Sequence, residues 1–371
     1  MKHPLLCTLY AALLPTASHA QVTPTAQMET LTRGLVVVPS KSTGMFASWR
    51  FLGTDDEQTT FDLLRDGEVI VSNLAHATSY NDTEGKATST YQVVTKRGSI
   101  PIDTTAAVTT WDAPFLQVKL NRPPAGNGCR YRPGDCSVGD VDGDGDYEII
   151  VKWDPSNAHD NSHNGVTGNV YLDCYKFSYN SDCVNSPADN SQFLWRIDLG
   201  PNIRAGAHYT QFMVYDFDGD GRAELMCKTA PGTKDGKGCY VNQAATLADI
   251  LQADNTLVHR NNNGRITGGQ EYLTVFEGLT GRAIHTIFYN PNRDTGYGGE
   301  ATGTFDWDDR NGHTDRAFYG NRSERYLAAV AYLGGSDQRP SGIFCRGYYT
   351  YAYVWAVDFD GTKLKTRWLH L

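Results

Sequence analysis

One short pattern is written twice in this chain, and it restricts the fold more than any other feature. Asp140-Val141-Asp142-Gly143-Asp144-Gly145-Asp146-Tyr147-Glu148 returns 76 positions later as Asp216-Phe217-Asp218-Gly219-Asp220-Gly221-Arg222-Ala223-Glu224. The same offset joins Val138 to Val214 and Lys152 to Lys228. Three carboxylates at alternate positions meet at one point only where the chain turns sharply, and the glycines at the sixth position permit that turn. Hard oxygen donors in this number suit Ca²⁺. The expected ligands are Asp140, Asp142, Asp144, Asp146 and Glu148 in the first loop, and Asp216, Asp218, Asp220 and Glu224 in the second. Apolar, strand-like runs flank both loops and the glutamate arrives early, which argues against a helix-flanked EF-hand. A solvated acidic turn is the bland alternative. Two copies in one register favour calcium, held as a structural clip.

A second piece also repeats. A strand, a turn and another strand occur over 170–175 with 194–197, over 272–276 with 284–287 across Thr280-Gly281, and over 353–357 with 364–368 across Asp360-Gly361. An acidic loop between strands followed by a hairpin is the unit of a propeller blade. About three such units fit between residue 130 and Leu371, whereas a closed propeller needs about four or more blades. An open arc would leave strand edges and apolar faces in water. The expectation is therefore a partial propeller over 116–371, belonging to a longer gene product.

The stretch 28–113 has a different texture. Runs at 35–38, 45–51, 60–65 and 90–95 are β-branched, aromatic or alternating, and Asp66-Gly67 stands between two runs as a two-residue hairpin signal. This predicts a β-sandwich resembling a fibronectin type III module, with Trp49 in its core. Residues 1–20 combine Lys2, a short apolar run and Ser18-His19-Ala20, the pattern of a signal peptide cut before Gln21. About ten apolar residues cannot cross a hydrocarbon core of roughly 30 Å, so the expectation is export, secreted or periplasmic, with no membrane span. Seven cysteines follow the leader, and their spacing predicts local bridges 129–136, 174–183 and 227–239, leaving Cys345 unpaired.

Polar runs follow the apolar strands. Lys152-Trp153-Asp154 leads into Asp160-Asn161-Ser162-His163, and Asn202 to Gln211 includes His208. An indole beside carboxylates and amides can stack on a sugar while its neighbours bond hydroxyls; a half-buried Trp in a hydrated loop is the equal alternative. His208 can be a base or ligand, although a hydrogen-bonded structural role is commoner. No G-x-S-x-G elbow, Walker loop, dinucleotide fingerprint or H-E-x-x-H is present. The 37 glycines disfavour long helical bundles, and a net charge of −9 argues against a nucleic-acid partner.

Several motifs in order carry a family resemblance: SVGDVDGDGDYEIIVKWDPSN, GNVYLDCYKF, IRAGAHYTQFMVYDFDGDGRAELMCKTA, EYLTVFEGLTG and CRGYYT. Together they resemble a rhamnogalacturonan lyase of polysaccharide lyase family 11 over nearly all of the chain from Met28. The resemblance implies an all-β protein, an eight-bladed calcium-rich propeller behind a β-sandwich. It implies cleavage of the rhamnose–galacturonic acid backbone of rhamnogalacturonan I by β-elimination, outside the cytoplasm. It also implies that Asp154 contacts substrate rhamnose, with Gly134 standing where the family has an asparagine. The family's catalytic basic residues lie in later blades, so no catalytic residue is assigned here. A monomer acting on a polysaccharide is expected. The alternative is a non-enzymatic calcium-stabilised module for carbohydrate binding or adhesion.

Overall fold

The computed structural model describes residues 30–126, 128–177, 190–293, 320–335, 339–348 and 352–370. The expected leader 1–20 and Cys183 lie outside the described residues. The fold is all-β: among the described residues helix is confined to single turns at Val241–Ala244 and Ala248–Leu251. No helix among the described residues is long and apolar enough to cross a membrane.

Two sheets form the N-terminal unit. β1 (Val36–Pro39), β2 (Met45–Ser48) and β5 (Ser79–Asp82) make one. The other holds β3 (Thr59–Arg65), β4 (Glu68–Leu74), β6 (Thr90–Arg97), β7 (Ile100–Thr104) and the short β8 (Val108–Thr109). Side chains alternate along a strand, so β3 sends Phe61 and Leu63 inward while β6 sends Tyr91 and Val93. They meet Val37, Met45, Ala47 and Trp49 in one core. The β3–β4 turn takes the positive φ values that such a two-residue hairpin needs, 53° at Asp66 and 86° at Gly67.

Three four-stranded antiparallel meanders follow, each in sequence order. The first is β9 (Tyr131–Gly139), β10 (Glu148–Pro155), β11 (Tyr171–Phe177) and β12 (Ser191–Asp198). The second is β13 (Phe212–Tyr215), β14 (Glu224–Thr229), β15 (Tyr272–Phe276) and β16 (Ala283–Phe288). The third is β17 (Tyr326–Ala331), β18 (Ser341–Arg346), β19 (Tyr353–Phe359) and β20 (Leu364–His370). The 76-residue offset survives as hydrogen-bond register: Glu148 pairs with Gly139, and Glu224 with Tyr215.

The middle meander has no wet face in its central strand, for all six residues of β14 are buried. Leu225 and Cys227 join Ile150, Leu172 and Cys174 of the first meander in one core. Met226, between them, joins Phe344 and Trp355 of the third meander in another. Period-two alternation thus makes the middle sheet the filling between its neighbours. Each large side chain so buried contributes about 1.5–3 kcal/mol relative to exposure.

The expected disulfides are not formed. Cys129, Cys136, Cys174, Cys227, Cys239 and Cys345 are all free. Cys129 and Cys136 lie along one extended stretch running into β9, where about 3.3 Å per residue carries their Cα atoms roughly 20 Å apart, far beyond bridging distance. Cys227 sits inside β14 at 0% exposure, whereas Cys239 is exposed in the following connection. Cys174 is buried within β11, and its expected partner Cys183 is outside the described residues.

Candidate metal loops and the adjoining rim

Each acidic loop is built by its first aspartate. Asp140, fully buried, accepts the backbone N–H groups of Gly143 (2.7 Å) and Asp144 (3.1 Å) on Oδ1 and of Gly145 (2.8 Å) on Oδ2. Asp216 repeats the arrangement with Gly219 (2.6 Å), Asp220 (3.1 Å) and Gly221 (3.0 Å). Gly143 and Gly145 stand at φ 81° and 90°, and Gly219 and Gly221 at 76° and 94°, where a side chain is strained. The closing glutamates reach back to the turn: Glu148 Oε2 accepts Val141 N and Glu224 Oε2 accepts Phe217 N, both at 2.9 Å.

Asp140, Asp142 and Glu148 bring carboxylate oxygens within 4.8 Å of one another, and so do Asp216, Asp218 and Glu224. This all-oxygen donor set fits a hard divalent cation such as Ca²⁺. Charge crowding is evident in the acidities. Burial, with Asp218 and Asp216 adding, pushes Glu224 up to about 9. Burial, with Asp142 adding, pushes Glu148 up to about 7. Three expected ligands fall outside these groups. Asp144 and Asp220 accept the backbone N–H of Asp146 (2.9 Å) and Arg222 (2.8 Å), respectively. Asp146 turns away to accept Thr32 Oγ1 at 3.0 Å, docking the loop on the N-terminal unit, where Arg50 also lies over the Tyr147 ring.

The opposite end of β10 carries the polar run. Gly134 and Asp154 are neighbours across β9 and β10, so close that a Cβ on Gly134 would stand 2.3 Å from Asp154 Oδ2. The Asp154 carboxylate thus fills the room a side chain at 134 would take. Burial raises its pKa above the usual range, and the Lys152 ammonium lies 3.9 Å away while pairing with Asp135. Trp153 does not serve as a stacking platform. It is 1% exposed, packs with Tyr131, Val151 and Tyr175, and donates Nε1–H to Asp173 Oδ2 at 2.7 Å. His208 is partly exposed, with Nε2 3.6 Å from Asp160 Oδ2, an oxygen equally distant from Arg325. Beneath them Arg204 spends its donors on the carbonyl oxygens of His159, Asp160, His163, Gly165 and Gly264 at 2.6–3.3 Å.

Sequence reasoning missed a buried ionic cluster between the second and third meanders. Glu271 lies 2.7 Å from Lys228 Nζ, 2.6 Å from Arg346 Nη1 and 3.1 Å from Arg293 Nη2, while Glu324 lies 2.7 Å from Arg293 and 3.1 Å from Arg346. The available signal was Lys228, a lysine directly after the apolar run Leu225-Met226-Cys227 and 76 positions beyond Lys152.

Residues 113–370 match the family description "Rhamnogalacturonan lyase family 11, C-terminal domain", and residues 26–111 match "Rhamnogalacturonan I lyases beta-sheet domain". The chain is 46% identical over 349 residues to the rhamnogalacturonan exolyase YesX of Bacillus subtilis, covering 92% of this chain and 50% of that protein. It is 44% identical over 347 residues to the endolyase YesW of the same organism, covering 92% and 49%. The solved structure of a Bacillus licheniformis rhamnogalacturonan lyase PL11 superposes with a TM-score of 0.74 at 42% identity, covering 94% of this chain and 53% of that one. The chain spans about half the length of the curated relatives it matches. By these matches, resting on the motifs and sheets described above, the chain belongs to rhamnogalacturonan lyase family 11.

Proposed function

We propose that this chain is the front part of a secreted lyase that cleaves the rhamnose–galacturonic acid backbone of rhamnogalacturonan I by β-elimination. The observation that carries this is the match over 113–370, shared with relatives named for exolytic and endolytic cleavage of that polymer. It favours a lyase over a non-enzymatic carbohydrate-binding module. We take the two N-terminal sheets as a fibronectin III-like sandwich and the three meanders as the first blades of a calcium-stabilised propeller. The faces shared between successive meanders support this, as blades stacked around an axis share theirs. The leader-like pattern over 1–20 supports export, and the acidic balance supports a polysaccharide partner without nucleic acid. A monomer is the simplest state.

The residues divide the work by position. Asp140, Asp142 and Glu148, and Asp216, Asp218 and Glu224, would hold calcium, which would supply a cationic centre stiffening each turn. Asp154 accepts a sugar hydroxyl at the far rim, its carboxylate standing in the room that a side chain at 134 would take. Elimination requires a base facing the proton beside the uronate carboxylate and positive charge facing that carboxylate. No residue here is assigned either role, so this chain alone forms unsaturated product slowly or not at all. The test is ultraviolet absorbance of the new double bond during incubation with rhamnogalacturonan I. A longer version with further acidic-loop sheets should form product. Binding of the polymer by that version without product would replace the lyase by the binding module.

A further inference from the structure

The twin loops share a backbone and differ in charge: position seven is Asp146 in the first and Arg222 in the second, and the Lys176 ammonium reaches only the first. We infer that the first loop carries its own counter-ion, the Lys176 ammonium, so that the two loops take up divalent cations in order: the second loop fills first, and the first fills only by displacing that lysine. The inference rests on the calcium reading above and deepens it.

Register places the difference. Ile149 pairs with Tyr175 in the first meander and Leu225 with Phe276 in the second. Extending each ladder by one step would set Lys176 against Glu148 and Glu277, just past the end of β15, against Glu224. Opposite charges across a strand pair attract and like charges repel. The side chains follow. Lys176 Nζ pairs with Asp142, lies 2.7 Å from Asp144 Oδ2 and 3.9 Å from Glu148 Oε1. It therefore touches two of the three carboxylates that would hold the metal.

Nothing comparable enters the second loop. Among the described residues no lysine or arginine forms an ion pair with Asp216, Asp218, Asp220 or Glu224. Arg339 acts on Asp218 only from a distance. Glu277 turns into its own hairpin, accepting Thr280 Oγ1 and lying 3.6 Å from Arg282. Lys176 is tethered by its stem, so its ammonium competes at a high effective concentration that dilution cannot lower. It cancels charge that would attract the metal and pairs with carboxylates that the metal needs. Among the described residues no side chain pairs its charge with the acidic groups of the second loop, so a divalent ion entering there has no tethered ammonium to displace.

The test is calorimetric titration of the chelator-stripped full chain with calcium chloride, for the wild type, Lys176→Met and Glu277→Lys, each checked by circular dichroism. The wild type should show a tight step and a weak step. Lys176→Met should tighten the weak step by about tenfold, the weight of a partly exposed ion-pair set, and leave the tight step unchanged. Glu277→Lys should weaken the tight step by a similar factor, which keeps the idea falsifiable if the first variant folds poorly. Equal affinities in the wild type, or two steps that ignore both substitutions, would overturn the inference and leave the calcium reading standing. Absence of binding heat in all three proteins would remove that reading and the inference together.

Discussion

Replacing Glu271 by glutamine puts the buried ionic cluster to a direct trial. The cluster holds three cations, Lys228, Arg293 and Arg346, against two carboxylates, Glu271 and Glu324, at no more than 7% side-chain exposure for all but Arg293 at 10%. Glu271 also accepts the Arg293 backbone N–H at 2.7 Å and the Tyr326 hydroxyl at 3.2 Å. Glutamine keeps the shape but leaves three buried cations facing one carboxylate, with an amide N–H₂ turned toward donors. Breaking a buried pair by removing one partner costs about 3–5 kcal/mol. Against a total stability of roughly 5–15 kcal/mol that is a large fraction. In urea, with an m-value of about 2–3 kcal/mol/M, the midpoint should fall by about 1–2 M. Tryptophan fluorescence reports it, because Trp355 lies in the adjoining core. Glu277→Gln, at a 40% exposed side chain, is the control and should barely move.

The pH dependence adds a second constraint on the same variant. Burial alone would raise Glu271, but Arg293, Arg346 and Lys228 hold it well below its ordinary value of 4.5. Its contribution is therefore complete above about 4.5 and fades only as pH falls through the depressed native value. The gap between wild type and variant should stay flat from neutral pH to about 4.5 and narrow below it. A midpoint shift worth less than about 1 kcal/mol, or a gap that closes well above pH 4.5, would refute the reasoning.

Further expectations concern the loops and the rim. Glu224 at about 9 and Glu148 at about 7 hold more protons folded than unfolded, so the metal-free protein should lose stability as pH rises from about 4.5 to 9. Melting scans with chelator should show that fall, and calcium should abolish or reverse it. Calcium uptake at neutral pH should release protons, seen as titration heats that vary with the ionisation enthalpy of the buffer. Asp154→Asn should weaken binding of rhamnogalacturonan oligosaccharides about tenfold with an unchanged melting curve, as for a lost charge-assisted hydrogen bond. Gly134→Ala should do the same more mildly, because its Cβ pushes the Asp154 carboxylate aside; unchanged affinity in both variants would remove Asp154 from the substrate site.

Local patterns were legible in the sequence where backbone geometry decides them. The 76-residue offset became identical turns with identical aspartate bonds, and Asp66-Gly67 became the hairpin its φ values require. Trp153 was not legible, since a register shift between Val151 and Trp153 changes which face the indole takes, and a polar neighbourhood in sequence hides an apolar one in space. Asp146 shares its residue type with true ligands and differs only in the direction it points. Spacing suggested disulfides because short intervals look like short distances, which an extended strand denies. The ionic cluster draws on Lys228, Glu271, Arg293, Glu324 and Arg346, which meet only after two meanders have stacked.

Arg204 is bonded to five carbonyl groups and pairs with no carboxylate among the described residues. Carbonyl dipoles satisfy donors without cancelling a net charge, so the loops they belong to are stitched together around a permanent positive point. A chain that is acidic as a whole therefore keeps a buried positive point beneath the loops that carry His159, Asp160 and His163, anchored where neither rotamer motion nor dissociation of a partner can move it. Salt screens a buried charge far less than an exposed one, so these loops should stay joined at ionic strengths that loosen the surface pairs.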